Sequence, residues 1–309
     1  MGHMTTLGKV LDRVWSMSER HTDRYVPTRD VSFNDMETVN IAGELFPLKP
    51  IAQQGISNRL GIPAHYLRKC PPEIQRVNLN HWIRKERNDE LFFRFDRNEV
   101  RAVFTPRYIP TDNVEVLEHL KKLGYRDDTP VQASVDDNFL AVNIPDGDKI
   151  FSVNGNDRMS PGISISNSEV GIAALSINAY VLRLICLNGM ISKTEVSFSF
   201  RHVSDKILTD FPDVLGKLGR ELDMQRNQLR LSLESRVENP ESTIDNFNRP
   251  FQLNQVEKEA VDWAIPLEYG NTMFNVINTY TKAAQFTVLP ADSSYRLQKV
   301  GGQILGMIK

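Results

Sequence analysis

The segment VLRLICLNGM, residues 181–190, places Cys186, one of only two cysteines in the chain, inside a strongly apolar run. A cysteine becomes a nucleophile when a neighbouring base removes its proton, and a sheet could bring His202 to that position. Free cysteine is also among the most buried residue types, and the apolar neighbours favour this second interpretation. We therefore expect Cys186 to be a packing residue and the chain to have no catalytic site. An enzyme that uses Cys186 and His202 is the alternative.

Basic residues alternate with aromatic residues between positions 68 and 107. Alternate residues of a strand share a face, so this pattern predicts a basic groove with rings at its rim, which suits single-stranded nucleic acid. The alternative is a solvated face on which the arginines pair with nearby acids such as Asp96 and Glu99. The residues that we expect to contact nucleic acid are Arg94, Arg97, Arg101, Arg107, Tyr108, Arg183 and Arg201.

Arg183 is a charged residue within an apolar strand pattern. Such an arginine needs an acidic partner or an anionic ligand, and we expect Glu169 to be the partner if the role is structural. Asn188 and Gly189 follow the apolar run, and this dipeptide is typical of a tight turn. The strand is therefore predicted to end there, with Cys186 facing the core.

Paired acidic residues, as at Asp127-Asp128 and Asp136-Asp137, lie in turn-like sequence and are typical of ordinary turns rather than of a cation site. The sequence contains no Gly-rich phosphate loop and no histidine pair with metal-ligand spacing. We therefore predict no metal and no cofactor.

The composition sets limits on the class of protein. The net charge of the 309 residues is -2, so a basic surface for nucleic acid has to be a local patch. No apolar stretch approaches the roughly 20 residues that cross a bilayer. The two cysteines lie far apart, as is typical of a reducing compartment. These features predict a cytoplasmic protein without membrane contact.

The elements that position these residues are predicted to form an α+β fold. Residues 4–90 are expected to be a helical N-terminal segment. Residues 91–204 are expected to be an antiparallel sheet domain, with a hairpin turning at residues 96–98 and an amphipathic helix over 113–125. Residues 205–309 are expected to be helical, with a long helix over 210–238 and shorter helices over 254–264, 271–286 and 294–308.

Three stretches, 101–113, 163–190 and 270–285, resemble the phage- and plasmid-borne family known as phage/plasmid-like proteins of unknown function. The resemblance covers the chain from about residue 40 to its end. Its motif positions are Arg101, Arg107, Tyr108, Asp112, Asn167, Glu169, Gly171, Arg183, Cys186, Asn188, Gly189, Asn278 and Thr281. The setting of that family implies DNA replication, recombination or a contest with the host. The order of elements is similar, by analogy only, to single-strand annealing proteins.

The sequence thus predicts a DNA-binding protein of phage or plasmid type that binds or anneals single strands and forms a homo-oligomer. One alternative is a protein-interaction or anti-host factor that acts as an oligomer through the 210–238 helix. The other is the Cys/His enzyme described above.

Overall fold

The structure is a computed structural model that describes residues 4–153, 157–191, 198–200 and 224–308. The helices are α1 (Leu7–Ser18), α2 (Pro50–Arg59), α3 (Ala64–Leu67), α4 (Pro72–Ile83), α5 (Asn113–Lys122), α6 (described over 224–234), α7 (Pro240–Asn248), α8 (Gln255–Ala264), α9 (Met273–Ala283) and α10 (Ala291–Leu305). The strands are β1 (Met4–Thr6), β2 (His21–Pro27), β3 (Val31–Phe33), β4 (Thr38–Ile41), β5 (Glu44–Pro47), β6 (Glu90–Asp96), β7 (Glu99–Phe104), β8 (Pro130–Val135), β9 (Leu140–Pro145), β10 (Phe151–Ser152), β11 (Arg158–Asn167), β12 (Leu175–Arg183), β13 (Asn188–Ile191) and β14 (Phe198–Phe200).

The centre of the fold is an antiparallel half-barrel sheet with the strand order β1-β8-β9-β11-β12-β13, to which β10 and β14 add at β11 and β12. Alternation along its strands gives the sheet two apolar faces. On one face, residues such as Val142, Ile165 and Ile177 pack against α1 and α5. The predicted α+β class with a central antiparallel sheet is confirmed.

The opposite face of the sheet is covered by the C-terminal helices. Ala141 and Tyr180 pack against Ala291 and Tyr295 of α10. Helices α7 to α10 form a further apolar core around Tyr280. The predicted helical C-terminal region is confirmed, with α8, α9 and α10 within a few residues of their expected bounds.

The long helix expected over 210–238 lies partly outside the described residues, since residues 201–223 are not described. The described part is helical to residue 234, four residues short of the predicted end. Arg236 then pairs with Thr272 as an isolated bridge, and the amide of Val237 donates to the carbonyl of Asn271 at 2.9 Å. This backbone pairing ends the helix.

The N-terminal part differs from the all-helical segment that the sequence predicts. It contains α1 to α4, and also β1 in the large sheet, β2 in a sheet with β6 and β7, and a sheet of β3, β4 and β5. Strand β2 pairs with β6 along its whole length, from His21 opposite Asp96 to Pro27 opposite Glu90. Because the partner strand lies about 70 residues further along the chain, local propensity could not reveal β2.

The β6–β7 hairpin is confirmed and turns at residues 97–98, where Arg97 has a φ of 54°. Helix α5 is confirmed as well, but Asp112 and not Asn113 is its N-cap, in a capping box with Glu115.

The turn predicted at Asn188-Gly189 is wrong. Both residues belong to β13 and pair with Arg183 and Leu182 of β12, so the chain reverses over residues 184–187, where Leu187 has a φ of 55°. Gly189 is required for close packing instead, since an added Cβ would lie 2.6 Å from Cε2 of Tyr180. Cys186 consequently lies in the turn, half-buried, and not in a buried strand.

Candidate functional site

Arg94 lies in the middle of β6 and is almost completely buried. Its guanidinium donates to both carboxylate oxygens of Asp23 at 3.0 Å, to Asp112 at 2.6 Å and to the carbonyl of Glu169 at 3.3 Å. Burial would lower the pKa of Arg94, but the two carboxylates outweigh it and raise the pKa. The donors are committed to protein acceptors, so Arg94 is not available to a phosphate.

Arg101 is the second buried arginine of this region, and it pairs with Glu169. It also contacts Nε2 of His21 at 2.9 Å, while the other oxygen of Glu169 accepts from the amide of Asn113 at 2.7 Å. Burial alone would raise the pKa of Glu169, but Arg101 and this amide lower it. Burial, together with the charge of Arg101, lowers the pKa of His21 to about 4. We call this group of side chains the first ionic cluster, and its members are Asp23, Arg94, Arg101, Asp112, Glu169 and His21.

Three further motif residues, Tyr108, Asn167 and Gly171, lie next to the first ionic cluster. Tyr108 is buried and stacks on Phe104, with ring centroids 3.8 Å apart and planes at 3°. Burial raises the pKa of Tyr108 to about 12. Gly171, with a φ of 83°, lets its loop approach Phe104, since a Cβ there would be 2.7 Å from Cε1 of that ring. Asn167 donates to the carbonyl of Thr111 at 2.9 Å. Tyr108 therefore packs inside the protein and offers no ring to a base.

A second ionic cluster forms around Arg183. Its guanidinium donates to both oxygens of Asp157, at 2.7 and 2.9 Å, and to Glu268 at 2.9 Å. Asn188 donates to Glu268 at 2.8 Å and accepts from Gln285 at 2.9 Å. Arg183 thus has the acidic partner that an apolar strand requires, but the expected partner Glu169 is wrong, because Glu169 belongs to the first cluster.

The environment of Cys186 does not activate a thiol. Burial raises the pKa of Cys186, although Arg183 opposes the shift. A nucleophilic cysteine needs the opposite, a lowered pKa. His202 and Arg201 lie outside the described residues. Within the described ranges, no group of three or more His, Cys, Asp or Glu side chains is arranged to hold a metal ion.

Arg97 and Arg107 are exposed, in contrast to the buried arginines. Arg97 lies at the tip of the β6–β7 hairpin and Arg107 follows β7. Of the residues predicted to contact nucleic acid, these two are the ones that the structure leaves accessible among those it describes. They do not by themselves form a groove.

A larger set of exposed basic residues lies earlier in the chain, within residues 64–87, and we call the exposed side of this segment the α3–α4 surface. This segment has six lysines or arginines and two glutamates. The basic residues are all exposed, namely Arg68, Lys69, Arg76, Arg84, Lys85 and Arg87. One of the two glutamates, Glu86, is neutralised by Arg59 at 2.8 Å from outside the segment.

Helical periodicity explains why this surface faces solvent. Leu79 and Ile83 of α4 are buried, so Val77, His81 and Arg84 lie on the opposite side of the helix. The rings of Tyr66 and Trp82 are 46% and 43% exposed. The ammonium of Lys85 lies 5.0 Å from the Trp82 ring centroid, so cation and ring are adjacent.

A groove of about 1030 Å³ opens beside the C-terminal end of α4. Arg29, Arg84 and Arg87 line it together with Asp89 and Glu90. Glu86 also lines the groove, so three arginines and three carboxylates share its wall.

The sequence pointed to this surface only in part. Residues 68–87 belong to the basic and aromatic stretch noted above, but strand alternation directed attention to β6 and β7, whose alternate arginines prove to be buried. The helical spacing of Leu79 and Ile83 would have indicated which side of α4 is buried and which faces solvent. The partners Asp23, His21 and Glu268 could not have been found, because each contact spans about 70 residues or more.

Comparisons with known proteins identify no relative: no family model, no curated protein and no solved structure matches this chain. Among the helices of the described residues, none has the length and apolar character to cross a bilayer.

Proposed function

We propose that this protein binds single-stranded DNA through the α3–α4 surface. The observation that carries the proposal is the concentration of six exposed basic side chains and two exposed aromatic rings on residues 64–87 of a chain whose net charge is -2. Phosphates would pair with the lysines and arginines, and bases would stack on Tyr66 and Trp82. Arg97 and Arg107 would extend the contact.

Two features favour single strands over duplex DNA. Aromatic stacking requires bases whose faces are free, which a duplex does not offer. Of the basic residues, two follow α3, one lies within α4 and three follow α4. Such a spread suits a flexible chain that follows the surface.

The cellular role proposed here is annealing or protection of single strands in recombination or replication of a phage or plasmid. The resemblance described above supports this setting. The cytoplasm of a bacterial host is the compartment proposed, in keeping with two cysteines that are free thiols. A homo-oligomer is also proposed, since annealing brings two coated strands together.

The proposal is tested by replacing Trp82 with alanine. Losing one stacking ring is expected to weaken binding of a labelled single strand roughly tenfold or more, measured by fluorescence anisotropy at fixed salt. Trp15 is the matched control, because it is 49% exposed on α1, away from this surface. Trp15→Ala should leave the affinity unchanged. Equal losses in both variants, or none in Trp82→Ala, would refute the stacking role.

A protein-interaction role is the second candidate, and one observation favours it. Ile74 and Val77 are 44% and 62% exposed on the outer side of α4. These two side chains are one turn apart on α4 and offer a small apolar contact to a protein partner. Light scattering in the absence of DNA separates the two roles: an oligomer that Val77→Asp dissociates, with DNA binding unchanged, would favour the interaction role for this helix.

A further inference from the structure

A second cleft lies between α10 and two loops, on the face of the large sheet that the C-terminal helices cover. Its volume is about 460 Å³, which is within the range of small-molecule sites. Ile172 and Ala173 border it on one side, and Pro250 and Phe251 on the other. None of its lining residues belongs to the α3–α4 surface, so the cleft is independent of the proposed DNA contact.

Three of the eleven residues that line the cleft are aromatic, and contacts hold them in place. Phe139 and Tyr295 are buried beneath it, with ring centroids 5.3 Å apart. Arg296 holds the side of the cleft formed by Pro250 and Phe251. It donates to Glu257 at 2.8 Å and to the carbonyl of Gln252 at 3.0 Å, and it contacts the carbonyl of Phe251. A cleft with fixed aromatic walls is preformed for a flat apolar group.

Lys299 contributes a cation to this cleft. Its ammonium lies 5.6 Å from the Tyr295 ring centroid. Among the described residues, no carboxylate lies within salt-bridge distance of Lys299. Asp292 also lines the cleft, but it precedes Lys299 by two helical turns, about 10 Å along α10. Burial accordingly lowers the pKa of Lys299, with no acid to oppose it.

We propose that the cleft binds a small aromatic anion, whose ring packs on Phe139, Phe251 and Tyr295 and whose carboxylate, sulfonate or phosphate pairs with Lys299. A half-buried ammonium without an acidic partner is stabilised by such a ligand, which restores the charge balance. The aromatic walls supply the apolar contact.

The test uses two fluorescent probes of similar shape and different charge, 8-anilinonaphthalene-1-sulfonate and the neutral N-phenyl-1-naphthylamine. The full chain is expected to bind the sulfonate saturably, with one molecule per chain. Lys299→Met should weaken the sulfonate about tenfold or more and leave the neutral probe unchanged, while Lys299→Arg should retain both. Lys149→Met is the control, because Lys149 is exposed and pairs with Asp146 at 3.1 Å elsewhere on the surface.

A measurement on the unaltered protein guards against a variant that fails to fold. Lysines are labelled with a limiting amount of an amine-reactive reagent, with and without the sulfonate, and the labelled positions are mapped by mass spectrometry. Protection of Lys299, with Lys149 labelled equally in both samples, is the expected result. The proposal is overturned by unchanged labelling of Lys299, by absence of saturable binding, or by equal loss of both probes in Lys299→Met.

Discussion

At the scale of single residues, burial separates two kinds of basic side chain in this protein. Arg94, Arg101 and Arg183 are held by carboxylates, whereas Arg84 and Lys85 face solvent. A guanidinium taken out of water is costly unless it is paired and hydrogen-bonded, and the carboxylates balance the charge of these three arginines. The strand pattern favoured the arginines of β6, β7 and their flanks over those of residues 68–87, because spacing within a strand does not indicate which face is covered.

The pairing of Arg101 with Glu169 leads to a prediction on stability. Glu169→Gln removes the charge that balances the buried Arg101, so the free energy of unfolding should fall by about 3 kcal/mol or more. Urea denaturation measures it. Asp128→Asn is the control, since its partner Arg126 is 80% exposed, and that variant should change stability by no more than about 0.5 kcal/mol. Equal, small effects of both variants would show that the buried pair is not needed.

The lowered pKa of His21 predicts how stability depends on pH. In the unfolded chain the imidazole takes up a proton as the pH falls through its ordinary pKa of about 6.5, while in the folded protein it stays neutral down to about 4. The unfolded state therefore gains protons first, and stability should fall by up to about 1.4 kcal/mol per pH unit in that window.

Replacing His21 isolates this effect. His21→Gln keeps an acceptor for Arg101 and should flatten the decline between pH 6.5 and 5, where carboxylates contribute little. Urea denaturation of both proteins at several pH values provides the comparison. The same decline in the variant would assign it to other groups.

At the scale of elements, periodic helices and the tight hairpin could be predicted, and the short strands could not. Helix α5 and the β6–β7 hairpin carry their signals within a dozen residues. Strand β2 instead is mostly exposed, so it shows no apolar alternation, and its partner is distant. The turn predicted at Asn188-Gly189 is wrong for another reason. A glycine is needed there because the Tyr180 ring packs against it, and not because the chain turns.

This interpretation of Gly189 predicts opposite outcomes for two glycine substitutions. Gly189→Ala would force a methyl group into Tyr180 and should lower the free energy of unfolding by about 1–3 kcal/mol. Gly55→Ala lies inside α2 with no atom within 4 Å of the new Cβ, and should raise stability by up to about 1 kcal/mol. Thermal and urea unfolding measure both. A neutral Gly189→Ala would contradict the close packing of Gly189 against the Tyr180 ring.

At the scale of the whole molecule, two ionic clusters tie distant parts of the chain together. The first joins β2, β6 and β7 to the loop at Glu169 and the start of α5, and the second joins β12 to the C-terminal helices. Motif positions that are far apart in sequence, such as Arg101 and Glu169, thus meet in the first cluster, which no spacing could have indicated. The net charge of -2 indicated that any basic surface has to be local. It could not indicate where on the protein that surface lies.

The salt dependence of single-stranded DNA binding tests the role of the α3–α4 surface most directly. Anisotropy binding of a single-stranded oligonucleotide is followed across a salt series for the unaltered protein, Arg84→Ala/Lys85→Ala, and the exposed control Arg126→Ala. Losing two phosphate contacts should reduce the slope of log affinity against log salt by about 1.4, with the control unchanged. An unaltered slope and affinity in the double variant would show that single strands, if bound, contact another part of the protein.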